Sequence, residues 1–167
     1  MCVQEQFAIP CVGAIIERDI DGEPCVLVQT RQKVGGGDTN GKLEIPAGKV
    51  REYENVYAAL RREVWEETGL TLTEIDGEVL ATEACVDGVK TVGFSPFYTT
   101  QNHSGAYSIL LHTFLCRADG EPLDGTDESC DIRWMPRHEL RERIQGQPEQ
   151  FFFMHVCALK KYLNLYL

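Results

Sequence analysis

The chain has little that would place it in a membrane or on a secretory route. No run approaches the roughly 20 consecutive apolar residues needed to cross a bilayer. The start Met1-Cys2-Val3-Gln4-Glu5-Gln6 carries neither the basic region nor the apolar core of a signal peptide. The expectation is a cytoplasmic (cytosolic) protein. Paired cysteine motifs are missing as well. The seven cysteines, at 2, 11, 25, 85, 116, 130 and 157, are never spaced C-x-x-C, which argues against a zinc site or a redox pair. They read as reduced, small buried hydrophobes. Basic charge is scarce: 16 Lys and Arg stand against 26 Asp and Glu, a formal net charge of -10. That balance disfavours a long nucleic-acid partner, though it leaves a local basic patch open. It suits a small anionic substrate only where metal cations mediate. Repeats, low-complexity tracts and interdomain linkers are absent too, so residues 1–167 read as a single domain.

What is there is an ordinary globular pattern of strands and helices. Ala8 to Arg18 and Val26 to Arg31 are β-rich and flank Asp21-Gly22, which predicts a hairpin. Lys33 to Lys42 holds four glycines with Asp38 and Asn40 and reads as a loop. Leu43-Glu44-Ile45 is a short strand ended by Pro46. The clearest helix is Val56 to Thr68, with Asn55 as its N-cap and Gly69 at its C-terminal cap. Strand-like runs follow near Val79 to Cys85 and Val89 to Phe94. A polar loop, Thr99 to Gly105, precedes a strand from Tyr107 to Arg117. A second loop, Asp119 to Ser129, leads to the strand Cys130 to Met135. Pro136 opens a short helix to Arg143, and Gln147 to Leu163 reads as a last amphipathic helix. The fold class is α/β (α+β), a mixed sheet covered by helices on both faces.

The helix from Asn55 to Gly69 is at odds with itself. At about 100° per residue, Val56, Ala59 and Leu60 share a side with Glu63, Glu66 and Glu67. The face starts apolar and ends acidic. Its carboxylates lie at the negative end of the helix dipole, where each costs about 0.3–1 kcal/mol. Glu63 repels Glu67 at i,i+4 and Glu66 at i,i+3 by roughly 0.2–0.5 kcal/mol each. A divalent cation explains such a cluster, and hard oxygen ligands favour magnesium or manganese over zinc. On spacing alone, a solvated acidic helix end partly neutralised by Arg61 and Arg62 is the favoured explanation, because charge runs are usually solvated faces.

With its preceding loop, the segment is Gly48-Lys49-Val50-Arg51-Glu52-Tyr53-Glu54, seven residues, then Arg62-Glu63-Val64-Trp65-Glu66-Glu67-Thr68-Gly69-Leu70. This resembles the Nudix box, G-x5-E-x7-R-E-U-x-E-E-x-G-U with U a bulky aliphatic residue. All nine specified positions over 23 residues match. The resemblance implies a Nudix-type α/β/α sandwich and a pyrophosphohydrolase acting on phosphorus-containing acid anhydrides. It implies a Mg2+ cofactor, with Mn2+ as the alternative. Glu63 and Glu67 are then the principal metal ligands. Glu66 is a further ligand or the base, and the Ala47 carbonyl an extra ligand. Arg62 holds the loop carboxylates, Glu54 among them, while Gly48 lets the loop pass close to the helix and Gly69 ends it. Family members often add a glutamate from a distant loop. Asp127 and Glu128 are the candidates here, with Glu128 favoured over Asp127; ordinary loop charges are the plain alternative.

The upstream segments Val26 to Arg31 and Leu43-Glu44-Ile45-Pro46-Ala47-Gly48-Lys49 look like the ADP-sugar branch. On that resemblance Arg31 contacts phosphate or ribose and Glu44 lines the site; a surface arginine and a solvent-facing glutamate are the alternatives. Two features depart from the branch. Its proline roughly 15 residues beyond the box has no counterpart near Cys85. Ser95-Pro96-Phe97 looks like its S-P-G segment but comes later and lacks the glycine. An insertion or a different substrate accounts for both. The chain is also shorter at its N-terminus than many ADP-ribose hydrolases. The expected substrate is ADP-ribose or another NDP-sugar. The runner-up is a house-cleaning nucleoside triphosphate pyrophosphohydrolase, and a non-hydrolytic Nudix-fold binding module is a third reading. A homodimer is the family habit. Gly35-Gly36-Gly37 is a lid or a plain connector, His103 and Ser104 are loop residues within reach of a substrate, and Phe151-Phe152-Phe153 reads as core or dimer contact.

Overall fold

A computed structural model describes residues 5–165. The readings made on Cys2 and on the first four residues lie outside the described residues. The strands are β1 (Ile9–Ile20), β2 (Glu23–Arg31), β3 (Leu43–Glu44), β4 (Ala47–Lys49), β5 (Thr71–Ile75), β6 (Thr82–Val86), β7 (Val89–Gly93), β8 (Tyr98–Gln101), β9 (Ile109–Asp119) and β10 (Ser129–Pro136). The helices are α1 (Val56–Thr68), α2 (Arg137–Gly146) and α3 (Phe153–Tyr162).

β1 organises the sheet. Its first part runs parallel to β9 from Ile9 to Ile16, and its last part pairs antiparallel with β2 from Glu17 to Ile20. Asp21 and Gly22 both have positive φ, as a two-residue hairpin turn requires. The order across the sheet is β10-β2-β1-β9-β5, with β3 added to β2, β4 to β1 and β8 to β9. Both faces are covered. Val12, Ala14 and Ile16 of β1 join Leu27 and Phe114 under α1. Ile15 joins Val26, Val28 and residues of α2 and α3 on the other side. This two-sided burial explains why residues 11–16 are buried without interruption, as expected for a strand covered on both faces. The architecture is the mixed α/β/α sandwich.

Five details differ from the sequence expectation. Thr71–Ile75 is a strand, and so is Tyr98–Gln101, which takes up the first residues of the expected polar loop; both pair with β9 and gain their regularity from it. Val79 does not start a strand, because Glu78–Leu80 forms a 3-10 turn. β6 and β7 then make a separate two-stranded sheet, and this hairpin separates α1 from the Ser95-Pro96-Phe97 segment. The expected final helix is broken. Pro148–Gln150 is a 3-10 turn, and Phe151 and Phe152 are extended. The Phe152 amide donates to the Leu43 carbonyl at 2.8 Å, so the edge of β3 takes a bond that a continuous helix would have kept. Among the six described cysteines, Cys85 on the hairpin and Cys157 on the outer side of α3 are exposed rather than buried.

Candidate active site

The chain changes partner strand at Ile45-Pro46. β3 stays with β2, while β4 crosses to β1 at Cys11 to Gly13. The C-terminal end of α1 faces this split. Asn55 caps the other end of the helix, its side chain accepting from the Tyr57 amide at 2.9 Å. Gly69 ends it in the left-handed conformation at φ 74°. Between those caps, Val56, Ala59, Leu60 and Val64 anchor the helix in the core, and their face continues directly into Glu63 and Glu67.

Glu67 is the most constrained of the acidic side chains. It is 5% exposed, although an unpaired buried carboxylate is strongly disfavoured. Its Oε2 accepts from Gln29 Nε2 of β2 at 2.9 Å and from the Ala47 amide of β4 at 3.0 Å. One carboxylate thus bridges the two strands that diverge. Its Oε1 faces Lys33 Nζ at 3.6 Å. Burial pushes the Glu67 carboxyl up to about 7, against the pull of Lys33 and with a further push from Glu44.

Glu63 lies one turn earlier, with its carboxyl against the backbone of the preceding loop. A Cβ on Gly48 would collide with that carboxyl, so any larger residue there would push the Glu63 carboxyl out of its present place. Arg62 gathers the remaining charges. Its Nε and Nη2 donate to the two Glu54 oxygens at 2.7 and 2.8 Å, a bidentate pair. Its Nη1 reaches Glu63 at 2.5 Å and Glu66 at 3.1 Å, and Nη2 also donates to the Lys49 carbonyl. The Arg62 hydrogen bonds hold the Glu54 carboxyl down at about 2, and these carboxylates keep the guanidinium well above its ordinary value. Glu66 stands apart from its neighbours. It is half exposed, with Arg51 at 3.5 Å on its outer side. The shared face drawn from helical spacing therefore holds for Glu63 and Glu67, while Glu66 sits at its rim.

The upstream residues are enclosed. Glu44 is 4% exposed and pairs with Arg31 Nη1 at 3.1 Å. Burial raises the Glu44 carboxyl above its usual range, against the pull of Arg31. Arg31 also donates to Thr39 Oγ1 at 3.1 Å and lies over the Phe152 ring at 4.4 Å. Neither is a free surface residue. Phe151 and Phe152 are buried, whereas Phe153 is exposed. In the loop before β10, a tight turn closed by Thr126 and Ser129 presents Glu128, which forms an ion pair with Lys33. Glu128 is thus brought to the cation that also faces Glu67. His103 and Ser104 lie in an exposed loop organised by Asn102.

Three residues here had not been named as site residues from the sequence: Gln29, Lys33 and Phe152, the last having been read as core or dimer contact. Gln29 had a signal, as a polar residue continuing the apolar run Val26-Leu27-Val28, and it is fully buried. Lys33 and Phe152 had none, because their positions depend on loop closure and on the break before α3. A surface depression of about 510 Å³ lies beside this region, lined by Asp38, Lys42, Arg143 and Glu149 among others. It contains none of the box glutamates.

Among the described residues, no three His, Cys, Asp or Glu side chains already converge as a closed metal cage. The donors nonetheless fit a hard divalent cation. Glu67 is a buried carboxylate with a cation at its free oxygen, and Glu63 is held one helical turn away. Magnesium in particular takes few protein carboxylates and keeps several waters, so a dedicated cage is not required.

The sandwich has close counterparts among solved structures. The MutT protein of Methanosarcina mazei Go1 aligns with a TM-score of 0.63 and 21% identity, over 96% of each chain. The NUDIX domain of Shewanella oneidensis NrtR, complexed with ADP ribose, aligns at 0.65 and 13% identity, over 96% of this chain and 89% of that one. A C. elegans Ap4A hydrolase aligns at 0.54 and 15% identity, over 93% and 95%. At such identities these neighbours establish the fold alone. No curated protein matches significantly. The family model of the NUDIX domain matches residues 9–155. The chain belongs to the Nudix family, whose enzymes hydrolyse pyrophosphate bonds with divalent metals.

Proposed function

We propose that this protein is a Mg2+-dependent hydrolase of the diphosphate linkage in a nucleoside diphosphate derivative, with ADP-ribose or an NDP-sugar as substrate. The observation that carries the reading is Glu67. It is a buried carboxylate held by Gln29 and the Ala47 amide at the split in the sheet, with one oxygen left to a cation. The enclosed Arg31–Glu44 pair beside it supports the NDP-sugar substrate. One neighbour of the same fold was solved with ADP ribose and another is an Ap4A hydrolase; both ligands contain linked phosphates.

Glu63, Glu67, Glu66 and the Ala47 carbonyl would hold the ion, which would supply positive charge to the diphosphate oxygens and acidify the attacking water. Arg62 keeps Glu63 and Glu66 oriented while Glu54 balances its charge. Glu66 or Glu128 accepts the proton of the attacking water at a carboxylate oxygen. The water oxygen bonds to phosphorus, the bridging P–O bond breaks, and a phosphate monoester leaves. Arg31 donates to a phosphate or ribose oxygen, and Glu44 fixes the guanidinium for that contact. The unit is one Nudix domain. Among the described residues no helix is long and apolar enough to cross a membrane, and the cytoplasm is the proposed compartment. A homodimer, the family habit, is read directly by light scattering.

The test is phosphate-coupled turnover against ADP-ribose, other NDP-sugars, dinucleoside polyphosphates and nucleoside triphosphates with Mg2+, beside Glu67→Gln. Glu67→Gln is expected to lose at least about two orders of magnitude in kcat/KM, the scale of a lost transition-state contact. Preference for nucleoside triphosphates would select the house-cleaning reading. Metal and nucleotide binding without turnover on the whole panel would select the binding module.

A further inference from the structure

The Gly-rich loop between β2 and β3 is built around one lysine. Lys33 has both backbone groups pinned by one side chain: its amide donates to Asn40 Oδ1, and Asn40 Nδ2 donates to its carbonyl, both at 2.9 Å. A Cβ on Gly36 would strike the Asn40 amide, so the glycine makes room for this clasp. From that fixed base the side chain reaches inward, about one quarter exposed, to lie between Glu67 and Glu128.

The two contacts of the ammonium are unequal. Glu128 is its close partner and is more than half exposed. Glu67 is buried, but at 3.6 Å it lies beyond hydrogen-bond distance, so the attraction there is Coulombic alone. Burial opposes the lysine charge, and Glu128 and Glu67 more than offset it, keeping the group above its ordinary pKa. An ion pair anchored on an exposed carboxylate is weak. A four-carbon stem on a clamped backbone can swing without any change in the fold. The other Glu67 oxygen is already satisfied by Gln29 and Ala47. Lys33 thus serves the one oxygen that a divalent ion would need.

We propose that Lys33 is a built-in counter-cation of the metal site, neutralising Glu67 in the metal-free protein and giving way when a divalent ion binds. The inference rests on the metal-site reading above. It makes the Gly-rich loop a device that keeps a buried carboxylate compensated between metal-loaded states, at the expense of metal affinity.

The test uses the full chain stripped of metal and titrated with Mn2+, followed by calorimetry and by thermal unfolding. Lys33→Met is expected to bind Mn2+ about threefold or more tightly than wild type, because a competing cation has gone. It should also show a larger Mn2+-induced rise in Tm, since its metal-free form leaves Glu67 uncompensated. Lys33→Arg, which keeps the charge, should stay nearer to wild type. Lys42→Met, which removes an exposed charge at the far end of the same loop, controls for net charge and should change little. Equal tightening in Lys33→Met and Lys42→Met, or none in either, overturns the proposal. A Mn2+-loaded Tm close to wild type shows that Lys33→Met has folded. Absence of Mn2+ binding by the wild type itself would instead bring down the metal-site reading, so the two failures are distinguishable.

Discussion

At the scale of single residues, two positions, Arg62 and Gly48, set where the acidic side chains of α1 lie. Arg62 joins Glu54, Glu63 and Glu66 through one guanidinium. A lysine there keeps the charge but loses the fork that grips both Glu54 oxygens. Arg62→Lys is expected to lower unfolding stability by about 1–3 kcal/mol, the cost of stranding partners of a charged hydrogen bond. Urea denaturation measures it, and an unchanged midpoint would contradict the role. Gly48 acts through space alone, since the Glu63 carboxyl occupies the place of a Cβ. Gly48→Ala should leave the fold intact by circular dichroism while weakening Mn2+ binding by about tenfold or more, as for lost support of a metal ligand. Wild-type affinity in that variant would show that Glu63 has room to spare.

At the scale of elements, α1 carries the whole arrangement, and its ends were legible. Asn55 and Gly69 are residue types with one obvious place in a helix, and they occupy those places. Asn55→Ala should cost about 1 kcal/mol by thermal or urea unfolding, the usual value of an N-cap; a change within error would mean that tertiary packing alone sets the helix start. The β1–β2 hairpin was legible for a similar reason, because Asp21-Gly22 requires a turn. β5 and β8 were not, since Thr71–Ile75 and Tyr98–Gln101 become strands by pairing with β9, which lies far away in sequence. The break before α3 was hidden for the same reason, because Leu43 supplies the competing acceptor. The candidate site divides along this line. Its acidic helix end follows from local spacing, whereas the bridge from Gln29 and the approach of Lys33 depend on how distant strands and loops meet.

At the scale of the whole molecule, one titratable group couples the α3 side of the sandwich to pH. His155 is 2% exposed and packs against the Phe152 ring. Burial, helped by the nearby charges of Arg31 and Lys33, depresses its pKa from 6.5 to about 3. Above pH 6.5 the ring is neutral whether the chain is folded or not, and it contributes no pH dependence. As the pH falls below 6.5 the unfolded chain binds a proton that the folded protein refuses, so stability is lost down to about pH 3. The slope has an upper limit of about 1.4 kcal/mol per pH unit. Carboxylates, Glu67 among them, titrate over an overlapping range, so a difference measurement is needed. His155→Leu removes the imidazole and keeps an apolar side chain of similar bulk. In urea unfolding at pH 7.5, 6 and 5, the variant's stability relative to wild type should rise steadily as the pH falls. A constant difference across the three would mean that His155 accepts its proton inside the fold, through opening of the α3 packing that buries it.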